Sequence, residues 1–203
     1  MNDFIGAIKL ALTMPKAKQT LIIGAICTLL GVAVMLVNEE AIFMGGILTV
    51  YGWLFFLNFI SQLECSQLVL ASRLRKKIAV LYPTIITAFG AVFSVAIVWV
   101  ITSVKGYEDG VMFFYVMLAV FLVYFGGSYK SYWLSTILMV VLAGVLGAFS
   151  FMASRNGLSI LSQHILGSCF VLGGVIVGGI VRYALRNKPL SDIIVKGVQR
   201  QAR

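Results

Sequence analysis

Gly110-Val-Met-Phe-Phe-Tyr115-Val-Met-Leu-Ala-Val120-Phe-Leu-Val-Tyr-Phe125-Gly-Gly-Ser-Tyr129 runs for 20 residues without a charge, bounded by Asp109 and Lys130. A helix of that length rises about 30 Å, roughly the thickness of a bilayer's hydrocarbon core. Five other charge-free intervals surround it: 19–38, 41–63, 78–104, 131–154 and 156–181, of 20, 23, 27, 24 and 26 residues. Each is long enough to cross a membrane once and too short to cross it twice. The expected fold is therefore all-α, a polytopic membrane bundle of six transmembrane helices.

Composition agrees with the spacing. Of 203 residues, 61% are hydrophobic and 11% charged, and the mean hydropathy is +1.02. Globular chains carry roughly 45–50% and 25%. A water-facing surface of ordinary polarity cannot be built from this chain, which excludes the soluble classes.

Charge placement orients the spans. With six crossings, both termini and the second and fourth connections share one side. That side holds Lys9, Lys16, Lys18, Arg73, Arg75, Lys76, Lys77, Lys130, Arg182, Arg186, Lys188, Lys196, Arg200 and Arg203, and the other holds only Lys105 and Arg155. The asymmetry predicts cytoplasmic N and C termini and a multi-pass protein of the cytoplasmic membrane. It also accounts for most of the net charge of +9 as contact with anionic headgroups of the lipid bilayer, with no nucleic-acid partner.

Cys27, Cys65 and Cys169 allow no complete pairing and sit in or beside spans. They read as small apolar residues, not as disulfides or metal ligands. Lys18 followed by an apolar run has the outline of a secretory signal, but the run is long, leads into Asn38-Glu39-Glu40 and has no A-x-A site, so it is expected to stay as the first span.

Residues 1–18 read as an interfacial amphipathic helix with Phe4, Ile5, Ile8, Ala11 and Leu12 on its apolar face, ended or kinked at Pro15. Residues 19–185 form the six-span transmembrane domain, and 186–203 a basic cytoplasmic tail. Gly106 and Gly110 suit the turn between the third and fourth spans. The polar run Asn156, Gly157, Ser159, Ser162, Gln163 and His164 is expected to make a short external or re-entrant segment before the last span. No convincing internal repeat stands out.

Residues 64–83 are the one sizeable cytoplasmic connection. Gly and Pro are absent until Pro83, and Leu68, Ala71, Leu74 and Ile78 share a helical face from which Gln67, Arg73 and Lys77 are displaced. The segment reads as one helix or two short ones across the base of the bundle. Arg73 to Lys77 either fix topology alone or also meet a soluble partner.

No interval contains Asp, Glu, Lys or Arg, and the single His164 lies alone near the external end of the last span. Ion-driven transport and membrane catalysis both draw on ionisable groups at depth. No Gly-x4-Gly-Lys-Ser/Thr loop is present for nucleotide either. Neither a catalytic residue nor a metal site is expected, the chain does not read as an enzyme, and directed work needs energy from a partner.

The order of elements resembles the small six-span permease subunits of bacterial ABC exporters of the second type. The resemblance rests on the N-terminal interfacial helix, Glu64 at the end of the second span, the coupling helix after it, and the polar insert before the sixth. Leu70-Ala71-Ser72-Arg73-Leu74-Arg75-Lys76-Lys77 leading to Tyr82-Pro83-Thr84 is similar to the segment that peptide exporters of Gram-positive bacteria set against their ATPase. It implies an ABC ATPase subunit as partner, with Glu64, Gln67, Ser72, Arg73, Arg75, Lys76 and Lys77 coupling to it. ATP and Mg would belong to that partner, with no cofactor in this chain, and a second permease copy or a paralogous permease would complete the path.

Uncharged polar groups in the spans are the candidates for a substrate path: Thr49, Tyr51, Asn58, Tyr115 and Tyr124. Thr49 and Asn58 need either a neighbouring helix or a water-lined cavity. Trp53, Trp99, Tyr132 and Trp133 read as interfacial anchors. Gly174 with Gly178, and Gly144 with Ala148, are small-xxx-small pairs that serve either packing within one chain or a dimer seam. The expected function is an ATP-driven export permease for an amphipathic or hydrophobic substrate, a peptide above all. The alternative is a membrane immunity or sensor protein that binds a hydrophobic ligand without transporting it.

Overall fold

The computed structural model describes residues 2–13, 17–38, 40–61, 63, 77–107, 110–128, 130–155 and 157–189, with the side chains of 2–4, 58–61 and 153–155 outside that description. Among them there is no strand. Helix α1 is Asn2–Leu12, α2 Ala17–Met35 and α3 Ala41–Ser61. A single π-type turn, Lys77–Leu81, opens α4 at Tyr82–Lys105. Then follow α5 Val111–Gly127, α6 Tyr132–Arg155 and α7 Ile160–Ala184. Each charge-free interval thus holds one helix.

Four helical stretches are long and apolar enough to cross a membrane: Ala17–Met35, Lys77–Lys105, Tyr132–Met152 and Ile160–Ala184. The apolar stretches Ala41–Leu57 and Val111–Gly127 are shorter. Several helices with this length and composition are what a multi-pass membrane protein requires.

Side-chain placement adds a second argument. Helix α7 buries His164, Gly167, Val171, Gly174, Gly178 and Arg182, while Leu161, Ile165, Leu172, Ile176 and Ile180 face outward. Small and polar residues lie inside and large apolar ones outside. Water would reverse that pattern. Hydrocarbon does not, because lipid solvates Leu and Ile as well as a core does, so small residues that let helices approach are favoured at contacts.

The α2–α3 hairpin rests on this principle. Gly24-Ala-Ile-Cys-Thr28-Leu-Leu-Gly31 and Gly45-Gly-Ile-Leu-Thr49-Val-Tyr-Gly52 carry the same pattern, and the antiparallel pairing sets Gly24 against Gly52 and Gly31 against Gly45. A Cβ at Gly45 would stand 2.5 Å from the Gly31 carbonyl oxygen, and one at Gly52 would stand 2.7 Å from that of Gly24. Thr28 and Thr49 each donate to the carbonyl four residues back, Gly24 and Gly45, at 2.9 Å. The hairpin is therefore a short inverted repeat about a local two-fold axis. The repeat is faint in the linear sequence because only four of the eight aligned positions are identical and the rest of each helix differs.

Helix α5 is the centre of the bundle. Thirteen of its 17 residues are buried, with α3, α4, α6 and α7 packed around it. The 20-residue charge-free interval thus supplies the core, and at 17 residues the helix rises only about 25 Å. Gly106 and Gly110, both left-handed at φ 70° and 76°, turn the chain into it.

A second, smaller core closes the cation-rich end. It joins Ala7 and Ala11 of α1, Ala17 of α2, Leu63 beyond α3, Ile78 of the π-type turn and Tyr82 of α4. The N-terminal segment is helical as expected, but it seats Ala7 and Ala11, leaving Ile5 and Leu12 exposed.

Two boundaries differ from expectation. Pro83 does not end the connection: it lies in the first turn of α4, where a missing N–H does no harm. The polar run expected as a short external or re-entrant segment is non-helical, among its described residues, only at 157–159. After the left-handed Gly157, Ser159 caps α7 by accepting from the Ser162 N–H at 3.3 Å, and Ser162, Gln163 and His164 are already helical. Of the expected coupling segment 64–83 and tail 186–203, residues 64–76 and 190–203 lie outside the described residues.

Candidate functional site

Three helices converge on His164 at the end opposite the cation-rich one. Its Nδ1 lies 2.7 Å from the Tyr115 hydroxyl of α5, and its Nε2 lies 2.9 Å from the Thr102 hydroxyl of α4. Thr102 Oγ1 is also 2.8 Å from the Val98 carbonyl, which accepts the only hydroxyl hydrogen Thr102 has. With the Thr102 hydroxyl donating to Val98, both contacts are satisfied when Thr102 accepts from Nε2–H and Nδ1 accepts from the Tyr115 O–H. A neutral imidazole protonated at Nε2 fits the pattern, in a chain running from Tyr115 through His164 and Thr102 to Val98.

Packing holds this chain in place. His164, Tyr115 and Thr102 are all buried. Gly167, one turn after His164, lies directly under the Tyr115 ring, and a Cβ there would stand 2.8 Å from Tyr115 Cβ. Trp99 covers the imidazole with ring centroids 4.8 Å apart. Above the cluster is a cleft of about 280 Å³ walled by Trp99, Ser103, Tyr107, Ile160 and Leu161, with His164 at its floor. The walls are aromatic, aliphatic and hydroxyl, without a charge, and suit an apolar group with a hydrogen-bonding end.

His164 was set aside in the sequence as alone, but it is the hub of the polar cluster. Its partners lie 62 and 49 residues away along the chain. The usable signal was depth: Thr102, Tyr115 and His164 each fall near the same end of their intervals.

The expected path residues do not converge. Thr49 is fully buried in the α2–α3 seam and bonded within its own helix, whereas Tyr51 is 47% exposed on the outer surface beside Phe121. Tyr115 belongs to the His164 cluster, and Tyr124 packs its ring against Tyr132 towards the cation-rich end. The side chain of Asn58 lies outside the described residues. A cavity of about 20 Å³ between α3, α4 and α5 is instead walled by Trp53, Gly90, Ser94 and Leu118. Trp53 Nε1 and Ser94 Oγ are buried there with no hydrogen-bond partner among the described residues. Trp53 is thus no interfacial anchor: it packs on Phe89 and Phe93 of α4 in the middle of α3. Trp133, 77% exposed at the start of α6, keeps an anchor's position.

Of the expected coupling residues, Glu64, Gln67, Ser72, Arg73, Arg75 and Lys76 lie outside the described residues, and Lys77 opens the π-type turn. Arg182, counted in the sequence only as a topology charge, is buried and donates to the Phe125 carbonyl at 3.0 Å. It ties the ends of α5 and α7 together.

The two small-xxx-small pairs part company. A Cβ at Gly174 would stand 2.7 Å from the Ala119 carbonyl oxygen, and one at Gly178 would stand 2.6 Å from that of Leu122, so both glycines seat α7 on α5 within one chain. Gly144 has nothing within 4 Å of a Cβ position, and Ala148 is exposed, so that pair faces outward on α6. No family model, no curated protein and no solved structure matches the chain.

Proposed function

We propose that this chain is the transmembrane permease subunit of an ATP-driven exporter of the ABC type, with all six apolar helices crossing the cytoplasmic membrane and both termini in the cytoplasm. The observation that carries the reading is the small core at the cation-rich end. The connection 64–76 leaves from Leu63 and returns at Ile78, both fully buried and packed with Ala7, Ala11 and Tyr82. Force applied to that connection reaches α1, α3 and α4 together. The π-type turn at Lys77–Leu81 gives α4 a wider, less regular start, a feature common at functional sites.

In this mechanism an ATPase docks on 64–76, chiefly through Arg73, Arg75, Lys76 and Lys77, and its closure shifts α4 against α3. The cavity between those helices and α5 then opens, and the Trp53 and Ser94 donors meet carbonyl groups of an amphipathic cargo such as a peptide. The chain itself hydrolyses nothing. A second permease copy, joined along the Gly144–Ala148 face, completes the path.

Co-purification tests the proposal. Tagged protein extracted in mild detergent is expected to recover an ATPase, and replacing Arg73, Arg75, Lys76 and Lys77 by Gln should lower that recovery at least tenfold while the six helices still insert. Ile78→Ser should retain the ATPase yet lose the response of its hydrolysis rate to cargo. Recovery of no ATPase from native membranes would end the permease reading. It would favour the second one, a ligand-binding immunity or sensor protein, whose site would be the uncharged cleft above His164.

A further inference from the structure

Both ring nitrogens of His164 are engaged, one with Thr102 of α4 at 2.9 Å and the other with Tyr115 of α5 at 2.7 Å. A neutral imidazole has one N–H donor and one acceptor nitrogen, so one hydroxyl accepts from the ring and the other donates to it. The arrangement closes only around the neutral ring. An imidazolium has two donors, and the hydroxyl that donated to the ring then faces an N–H. We propose that His164 is a proton-operated latch: its neutral ring holds the start of α7 to α4 and α5, and a proton taken up from the cleft above it lets α4 part from α7.

The place of the ring carries the proposal. His164 is only 4% exposed, so a full charge there loses its hydration along with a hydrogen bond. Yet the ring is the floor of a cleft whose rim at Ser103, Gly106 and Leu161 is exposed, and water in the cleft delivers the proton. A ring sealed from water would not titrate, and one free in water would hold nothing. The incoming proton bonds to the lone pair of the acceptor nitrogen, and no covalent bond breaks. With the Thr102 hydroxyl donating to Val98, that nitrogen is Nδ1 and the displaced donor is the Tyr115 O–H. The charged ring then turns toward the cleft and carries Nε2 away from Thr102. Helices α5 and α7 stay together, because Gly167 lies under Tyr115 and Gly174 and Gly178 seat α7 on α5 backbone. Helix α4, tied to the ring through Thr102 and Trp99, is the one that moves.

Facing the ring are Trp99 and Thr102 from α4 and Tyr115 from α5, with Tyr107 in the cleft wall. The Trp99 face attracts a cation, but it covers one side of the ring and supplies no acceptor. Lys105, three residues beyond Thr102, is exposed. Glu108, Asp109 and the side chain of Arg155 lie outside the described residues; a charge near the ring would set the pH of release and leave the latch in place. The proposal does not depend on an ATPase partner.

His164 is the chain's one histidine, so ¹⁵N-histidine labelling of the full-length protein, purified without a histidine tag, reports this ring alone. The second measurement is the distance between nitroxides on Val104→Cys and Ile165→Cys, both outward-facing, with Cys27, Cys65 and Cys169 replaced by Ala. In nanodiscs taken from about pH 8 to about pH 4.5, the nitrogen shifts should pass from neutral ring to imidazolium, and the distance should widen by a few ångströms with the same midpoint. His164→Gln, whose amide bonds both hydroxyls without titrating, should keep the short distance throughout. Thr102→Val should show the wider distance already at about pH 8. E108Q/D109N should still widen. A ring that stays neutral over the range, a distance that does not follow the ring, or the same widening in His164→Gln would each overturn the latch. So would loss of the widening in E108Q/D109N, or loss of helical circular dichroism over the same range, which would make the change unfolding.

Discussion

Helices α5 and α6 are consecutive, packed together and largely apolar, yet they bury opposite things. Helix α5 hides Val111, Phe114, Leu118, Leu122 and Phe125 among four other helices. Helix α6 exposes Trp133, Ile137, Val140, Val145 and Phe151, and of its described side chains only Ser135 and Ser150 are buried. In water α6 would have to turn over. The contrast shows that hydrophobicity does not sort helices into core and surface when the solvent is itself apolar; fit between surfaces does.

The comparison can be broken most sharply at the glycines. Gly178→Leu should be the most damaging change, because its Cβ meets the Leu122 carbonyl at 2.6 Å and α5 cannot yield. Overpacking of this kind costs about 3 kcal/mol. Thermal unfolding in detergent micelles should show either a large fall in midpoint or no folded protein, and a wild-type midpoint would show that α5 is not held by α7.

Tyr115→Phe should rank next. It removes the donor to His164 Nδ1 and leaves a buried acceptor without a partner, a loss of about 1–2 kcal/mol. Thermal unfolding of Tyr115→Phe beside Thr102→Val and the double variant measures the coupling between α5 and α4. Simple additivity would dissolve the three-helix chain.

Ser135→Ala should act in the other direction. The Ser135 hydroxyl is buried with no hydrogen-bond partner among the described residues, so removing it should leave stability unchanged or raise it by up to about 1 kcal/mol. A destabilisation of similar size would mean that the hydroxyl has work to do at the α5–α6 contact.

Gly144→Leu should be the mildest for the isolated chain, within about 0.5 kcal/mol, since nothing lies within 4 Å of a Cβ at this outward-facing position. In membranes the same variant sharpens the proposal of a second copy: if the Gly144–Ala148 face joins two chains, cysteine cross-linking between copies should fall with no change in unfolding. Cross-linking equal to that of the wild type would place the seam elsewhere.

Much of the fold was legible because charge is so sparse. Asp109 and Lys130 bound α5 to within three residues, and Gly106 and Gly110 marked the turn before it. The candidate site was far less legible. His164 looked solitary because Thr102 and Tyr115 are distant along the chain, and the polar run from Asn156 to His164 looked like a loop because Ser159, Ser162 and His164 are polar for different reasons. One serine caps α7, its neighbour bonds to the cap, and the histidine points into the bundle. Composition does not distinguish a cap from a core partner.

By itself the sequence determined an all-helical chain with apolar segments of membrane-spanning length and a heavy bias of cations to one end, since those properties follow from counting along the chain. Only the tertiary structure decided which glycines seat helices and which face outward, that the most apolar stretch is the core, and that one histidine holds three helices together. In an apolar solvent large hydrophobic side chains are at home on either side of a helix. The side that packs is then chosen by steric fit and hydrogen-bond satisfaction between segments, which are properties of pairs and are not written in either segment alone.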